Sequence, residues 1–304
     1  MILIDVNEDA KELDWFPDLN VPVIPFSRAP RDLDAVIATG WQTVPFLECL
    51  PAERRIYFVQ SDESRFTEDA GLKARILATY LKPFEYMTEA RWIQRWLKQE
   101  FGHEAVYVPN GLDPEIMHPV APLEPKGYRL RVLLEGPISI PFKGMADAFA
   151  AVRDLDCEVW CVSSHGRPDP DWRCDRFFER VPMTEMKRIY SSCDILLKMS
   201  RVEGFFGPPL EMMACGGTSV VAKVTGYDEY IMDGMNALVV EPGDVGAARA
   251  AVHRLLVEPA LRERLVAAGR MTAKEWRWEP TIDILDECLS GKSPTLGCGI
   301  ARTT

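Results

Sequence analysis

Between Cys193 and Gly217 the chain spells out a strand, a tight turn and a short helix, and leaves little room for another reading. The run Cys193-Asp194-Ile195-Leu196-Leu197-Lys198-Met199-Ser200 is almost continuously apolar, as a strand covered on both faces must be. Arg201-Val202-Glu203-Gly204-Phe205-Phe206-Gly207-Pro208-Pro209-Leu210-Glu211 follows, a Gly/Pro turn held between two carboxylates. Pro209 suits a first helical turn, where a missing N–H costs nothing. Gly216 suits the left-handed stop after the last turn, and the β-branched run Thr218-Ser219-Val220-Val221 starts the next strand. Strand, helix and strand in this order form the repeating unit of a parallel α/β sheet.

The rest of the chain keeps that rhythm. Short apolar runs at Ile2–Val6, Val21–Phe26, Ala35–Ala38, Ile56–Gln60 and Ala105–Val108 read as strands, with helices over Gly71–Leu81 and Glu89–Phe101. Pro114, Pro119, Pro122 and Pro125 then crowd the stretch from Asn110 to Gly127, which reads as a domain boundary. Beyond it, strands Leu130–Glu135, Glu158–Ser163, Asp194–Met199 and Ser219–Val224 alternate with helices Gly144–Asp154, Thr184–Ser192, Pro209–Cys215 and Asp244–Val257. Helices over Leu261–Ala268 and Thr281–Leu289 close the order. At 304 residues two domains are expected. They are assigned as 1–120 and 126–275, followed by a segment 276–290 and a disordered tail 291–304.

The turn after Ser200 has a chemical use. Free N–H groups at a helix start, with the helix dipole behind them, favour a phosphate. Flanking carboxylates can accept hydrogen bonds from paired hydroxyls, so Glu203 and Glu211 fit a ligand that carries both a phosphate and diols, a sugar nucleotide. The plainer alternative is a strand-to-helix joint with two solvated carboxylates. The Glu spacing alone does not decide between them; Ser200 before, Gly-Phe-Phe-Gly-Pro-Pro between and Ala-Cys-Gly-Gly after favour the ligand.

These residues resemble the family-4 retaining glycosyltransferases, whose signature is a Glu-x7-Glu element, here Glu203 and Glu211. The likeness begins near Val108-Pro109-Asn110-Gly111-Leu112-Asp113 and includes a bacterial subgroup pattern over Lys198 to Glu211 and Val224 to Tyr230. It implies a GT-B fold: two Rossmann-like domains facing a central cleft, the N-terminal one shortened, with the C-terminal helix crossing back onto it. It also implies same-face transfer of a sugar from a nucleoside diphosphate sugar to a hydroxyl acceptor, aided by the leaving phosphate, with no cofactor and no metal.

By the same resemblance, Lys143 in Gly136-Pro137-Ile138-Ser139-Ile140-Pro141-Phe142-Lys143-Gly144 grips the donor diphosphate, Glu203 meets donor-sugar hydroxyls and Glu211 the ribose diol. Glu203 and Lys143 are the catalytic candidates. Phe205, the amides of Phe206 and Gly207, and Gly136, Val181 and Thr225 are further donor-side candidates. The family often has an arginine six residues before the lysine; Pro137 stands there, and Lys198 or Arg201 is expected to replace it. The usual glycine-rich loop after the first strand is replaced by Asp5-Val6-Asn7-Glu8-Asp9, and a first-domain histidine by Gln60-Ser61-Asp62-Glu63. Gln60, Asp62 and Trp41 are the acceptor-side candidates, each with a solvated-loop or sheet-edge alternative.

Composition narrows the partners. A net charge of −11 disfavours nucleic acid, which needs clustered Lys and Arg. No apolar run spans a bilayer and the N-terminus lacks signal-peptide features, so a cytoplasmic location is expected. Arg91, Trp92, Arg95, Trp96 and Lys98 form a basic-aromatic mix that would suit weak contact with an anionic membrane surface; the ordinary reading packs Trp92, Ile93, Trp96 and Leu97 inward, and it is preferred. The eight cysteines contain no Cys-x-x-Cys and read as reduced core thiols. Three Asp-x-Asp tripeptides (Asp32/Asp34, Asp154/Asp156, Asp169/Asp171) read as solvated surface, not metal ligands. Two other functions stand as alternatives: a GT-B sugar-nucleotide epimerase, which the missing histidine after Ile56–Gln60 counts against, and, suggested by the departures from the pattern, a degenerate protein that binds a glycan or a partner without catalysis.

Overall fold

The computed structural model describes residues 2–5 and 20–291. The expected disordered tail beyond Gly291 and all of the acidic Asp5–Asp9 loop beyond Asp5 lie outside the described residues. Two compact units divide the chain, one taking the described residues of Met1–Pro109 and Asp283–Leu296, the other those of Asn110–Ile282. The division falls at Pro109/Asn110, upstream of the boundary expected from the prolines. Those prolines lie in a segment that packs within the second unit, because Val120 N donates to Ser191 Oγ at 3.1 Å and Leu123 N to Ser192 Oγ at 2.8 Å.

In the first unit β1 (Leu3–Asp5) pairs in parallel with β2 (Val23–Pro25). A four-stranded parallel sheet follows, in the order β3 (Leu33–Ala38), β4 (Ala52–Val59), β5 (Glu85–Thr88), β6 (Ala105–Tyr107). Helices α1 (Val44–Cys49), α2 (Ala70–Thr79) and α3 (Arg91–Phe101) connect these strands. Side chains alternate along β4: Tyr57 and Val59 enter a core with Ile76 of α2 and Ile93 and Leu97 of α3, whereas Ile56 faces the other way. On that second face it meets Met87 and Cys288 of the final helix, and Arg54 donates to the carbonyls of Cys288 and Leu289 at 2.8 and 2.9 Å. On α3, Trp96 packs edge-on to Tyr80 and Phe101, and Arg91 covers the ring of Tyr107. The inward packing of this helix, the reading preferred above, is what the structure has.

The second unit is a six-stranded parallel sheet of β7 (Arg131–Glu135), β8 (Glu158–Ser163), β9 (Arg176–Glu179), β10 (Ile195–Lys198), β11 (Thr218–Ala222) and β12 (Leu238–Val240). Its order is β12-β11-β10-β7-β8-β9, that of a doubly wound nucleotide-binding fold. The connecting helices are α4 (Met145–Val152), α5 (Met183–Ser192), α6 (Gly207–Ala214) and α7 (Val245–Val257); α8 (Pro259–Glu275) follows, and of α9 (Trp278–Leu289) the residues from Asp283 belong to the first unit.

The interiors of the central strands are apolar because both faces are covered. Leu133 and Leu196 join Tyr190 of α5 and Leu210, Met212 and Met213 of α6; Val132, Leu134, Ile195 and Leu197 join Ala148 and Val152 of α4 and Val252 of α7. Each fully buried Leu or Ile contributes about 1.5–3 kcal/mol relative to an exposed one. The expected stop of α6 is present: Gly216 has φ 90°, and the amides of Gly216 and Gly217 donate to the carbonyls of Met213 and Met212.

Candidate functional site

The order of the second sheet places β7 beside β10, with β8 and β9 running away on one side and β11 and β12 on the other. At such a reversal the loops leaving the carboxyl ends of the two central strands diverge and leave a place for a ligand. The loop after β7 carries Gly136 and Lys143; the loop after β10 carries Ser200, Arg201 and Glu203. The two loops interlock. Arg201 N donates to Phe142 O at 2.7 Å, and Gly144, at φ 66°, lies so close to Met199 that a Cβ there would stand 1.9 Å from its carbonyl oxygen. Only glycine fits that position.

Lys143 closes the short 3-10 turn Pro141–Lys143, and its ammonium lies 2.7 Å from Glu203 Oε2. Glu203 Oε1 and the hydroxyl of Ser200 are buried and have no hydrogen-bond partner among the described residues. Thr225 Oγ1, after β11, donates to Glu203 O at 3.2 Å. Lys143 and Thr225 are thus both tied to Glu203.

Lys198, at the end of β10, is buried and donates to Glu135 Oε2 at 2.6 Å and to Glu135 O at 2.9 Å. Burial acts to lower its pKa, but the carboxylates of Glu135, Glu203 and Glu211 outweigh it and raise the pKa. The Lys198 ammonium also comes close to Gly136, where a Cβ would stand 3.5 Å away. Arg201 donates to Asp147 Oδ2 at 2.5 Å. Neither cation is therefore the free replacement for an arginine at Pro137 that the sequence suggested; each is held by a carboxylate on a neighbouring element.

Glu211, one turn into α6, accepts from the Tyr190 hydroxyl at 2.7 Å. Burial pushes its pKa up to about 7, with Glu135 adding to the rise; the Tyr190 hydrogen bond and the Lys198 charge oppose it. The same burial and the Glu211 charge hold the Tyr190 hydroxyl well above its ordinary range.

Other donor-side candidates are more structural than expected. Gly207 N, expected to be open to a ligand, donates to Phe205 O at 3.1 Å and closes the turn on itself. The Phe206 side chain is fully buried and its carbonyl accepts from the Tyr230 hydroxyl. Phe205 packs against Tyr230 and Trp276, ring centroids 5.7 and 5.6 Å away. Gly136 N is taken by Val162 O at 3.1 Å. Val181, after β9, packs on the apolar core beside Arg180, which holds a left-handed φ of 51°.

In the first unit, the ends of β3 and β4 gather Trp41, Gln60 and Asp62. Gln60 Nε2 donates to Thr39 O at 2.7 Å, and Asp62 Oδ1 accepts from Ser64 N and Oγ. Their centre is Glu63, which the sequence reading passed over. Its Oε2 accepts from Trp41 N at 2.8 Å and from the Tyr57 hydroxyl at 3.1 Å, and burial raises its pKa. Glu135, Asp147 and Tyr190 were missed as well. No motif marks them, because each is defined by a partner on a distant element. Among the described residues no group of three or more His, Cys, Asp or Glu converges on a metal site, and Cys49 is exposed rather than a core thiol.

The fold is that of the GT-B glycosyltransferases. The likeness extends to solved structures: sucrose-phosphate synthase from Thermosynechococcus elongatus superposes with a TM-score of 0.73 at 16% identity, covering 85% of this chain and 73% of that one. Anabaena Alr3699/HepE in complex with UDP-glucose superposes with a TM-score of 0.70 at 14% identity, covering 85% and 79%.

In sequence, residues 176–272 match the family described as Glycosyl transferases group 1. The chain is 31% identical over 102 residues to D-inositol 3-phosphate glycosyltransferase of Thermobifida fusca, covering 34% of this chain and 24% of that protein. It is 34% identical over 104 residues to O-antigen chain mannosyltransferase B of Escherichia coli, covering 34% and 27%. The chain thus spans about a quarter of the length of these curated relatives. Among the described residues no helix is long and apolar enough to cross a membrane.

Proposed function

We propose that the chain is a retaining, family-4 type glycosyltransferase that moves a sugar from a nucleoside diphosphate sugar to a hydroxyl acceptor without a metal ion. The observation that carries this reading is the contact of Lys143 with Glu203 on the loops that leave β7 and β10, at the reversal of strand order, with Lys198 at the end of β10 feeling the carboxylates of both Glu203 and Glu211. The match of residues 176–272 to group 1 glycosyltransferases supports it, as do relatives named for glycosyl and mannosyl transfer.

In this reading Lys143 exchanges Glu203 for the donor diphosphate. Charge builds on that diphosphate as the bond from the sugar anomeric carbon to oxygen breaks, and a fixed ammonium stabilises it. The acceptor hydroxyl attacks from the same face; its oxygen bonds to the anomeric carbon and its proton passes to the departing phosphate. Glu203 holds donor-sugar hydroxyls, and Glu211 accepts from the ribose diol. Trp41, Gln60 and Asp62, which follow β3 and β4, would be the acceptor-side groups.

Lys143→Ala tests the assignment. Loss of one positioned charge in such a site lowers turnover about 10²- to 10³-fold, measured as sugar transfer or slow donor hydrolysis with UDP-, GDP- and dTDP-sugars. Unchanged turnover in the variant would exclude Lys143 from the reaction.

A further inference from the structure

The donor reading gives Lys143 to a diphosphate and Glu203 to hydroxyls, yet in the ligand-free chain these two side chains hold each other at 2.7 Å. Lys143 is 22% exposed and Glu203 only 9%, so water is poorly placed to replace either partner. The pair is also incomplete. Glu203 Oε1 and Ser200 Oγ are buried without partners among the described residues, and a buried oxygen left unpaired is destabilising. An ion pair in this state yields to a ligand only when that ligand satisfies both of its ends.

We propose that the Lys143–Glu203 pair is an exchange latch that selects the sugar-bearing nucleoside diphosphate over the free nucleoside diphosphate. The inference rests on the donor reading. A free diphosphate offers Lys143 an anion but leaves the Glu203 carboxylate buried with both oxygens unpartnered. A donor offers the anion and, in the same molecule, hydroxyls that donate to Glu203. Once the sugar has been transferred, Glu203 competes with the diphosphate for Lys143 and hastens product release.

Calorimetric titration of the wild type and of Glu203→Gln and Lys143→Gln with one nucleoside diphosphate and its matching sugar donor tests the latch. Glu203→Gln should bind the free diphosphate about three- to tenfold more tightly than the wild type, the range for loss of a partly buried competing charge, and the sugar donor no more tightly. Lys143→Gln should weaken both ligands. A Glu203→Gln variant that weakens both alike overturns the proposal, since a purely structural pair would behave that way. If Glu203→Gln does not fold, the wild type alone decides: the donor must bind more tightly than the free diphosphate, although the latter carries the greater negative charge, and the reverse order overturns the latch. Failure of the wild type to bind any nucleotide would instead overturn the donor reading itself.

Discussion

The Tyr190 hydroxyl, from α5, donates to Glu211 Oε2, on α6, at 2.7 Å, and so fixes a carboxylate whose burial raises its pKa to about 7. The ribose contact requires the ionised form, because two hydroxyls must both donate. Donor affinity should therefore rise with pH through about 7 and be up to about tenfold weaker at pH 6 than at pH 8. A sugar donor is the right probe, since its diphosphate is a diester and does not itself titrate there. Tyr190→Phe removes a hydrogen bond that favours ionisation, and the midpoint should move to higher pH. A profile flat from pH 6 to 8 in both proteins would exclude Glu211 from the binding step.

The same raised pKa sets a stability trend. The folded Glu211 holds its proton up to about pH 7, whereas the unfolded carboxyl releases it near 4.5. Its contribution is fully present below 4.5 and is lost as pH rises through about 7. The wild type should lose on the order of 3 kcal/mol relative to Glu211→Gln between pH 4.5 and pH 8. Urea unfolding of both proteins across that range measures the difference.

Lys198→Met tests the buried pair with Glu135. Removing one partner of a buried ion pair strands the other, which costs about 3–5 kcal/mol when both are fully enclosed. Glu135 keeps 20% of its side chain exposed, so a loss of roughly 2–4 kcal/mol is expected here. The double variant Lys198→Met with Glu135→Leu should recover much of it. A single variant as stable as the wild type would mean that the pair adds nothing to the joint between β7 and β10.

Gly144→Ala places a methyl group where Met199 O already stands, on a backbone at φ 66°. Strain and the forced separation of the two loops should cost about 2–4 kcal/mol, read as a fall in melting temperature. Because Lys143 sits beside it, donor affinity should fall as well. Loss of stability with donor affinity intact would show that the loop carrying Lys143 is not held in place by this contact.

Much of the second unit could be read from the chain because its central strands are enclosed. Ile195–Leu197 and Val132–Leu134 are apolar on both faces, and Pro209 and Gly216 mark the ends of α6. Strands at the sheet margins gave weaker signals. Arg176–Glu179 is charged at both ends and follows a Pro- and Asp-rich loop, while Leu238–Val240 has only three residues. In the first unit, Glu85–Thr88 has no apolar run and Val44–Cys49 carries a proline at its start, a position that a helix tolerates.

The site divides in the same way. Lys143, Glu203 and Glu211 stand in local patterns, so their identity was legible. The partners around them were not: Tyr190 meets Glu211, Glu135 meets Lys198 and Asp147 meets Arg201 only because the fold brings distant elements together. For that reason Lys198 and Arg201 looked like free cations in the sequence and are paired in the fold.

Titration of the wild type, Lys143→Ala and Glu211→Gln with UDP-, GDP- and dTDP-sugars, followed by heat of binding, is the most direct test of a donor site beyond β7 and β10. One base class should bind the wild type, add about 2.7 kcal/mol of stability at ~100 times its dissociation constant, and lose tenfold or more in affinity with each variant. Binding of none of them, or equal binding by all three proteins, would contradict the account.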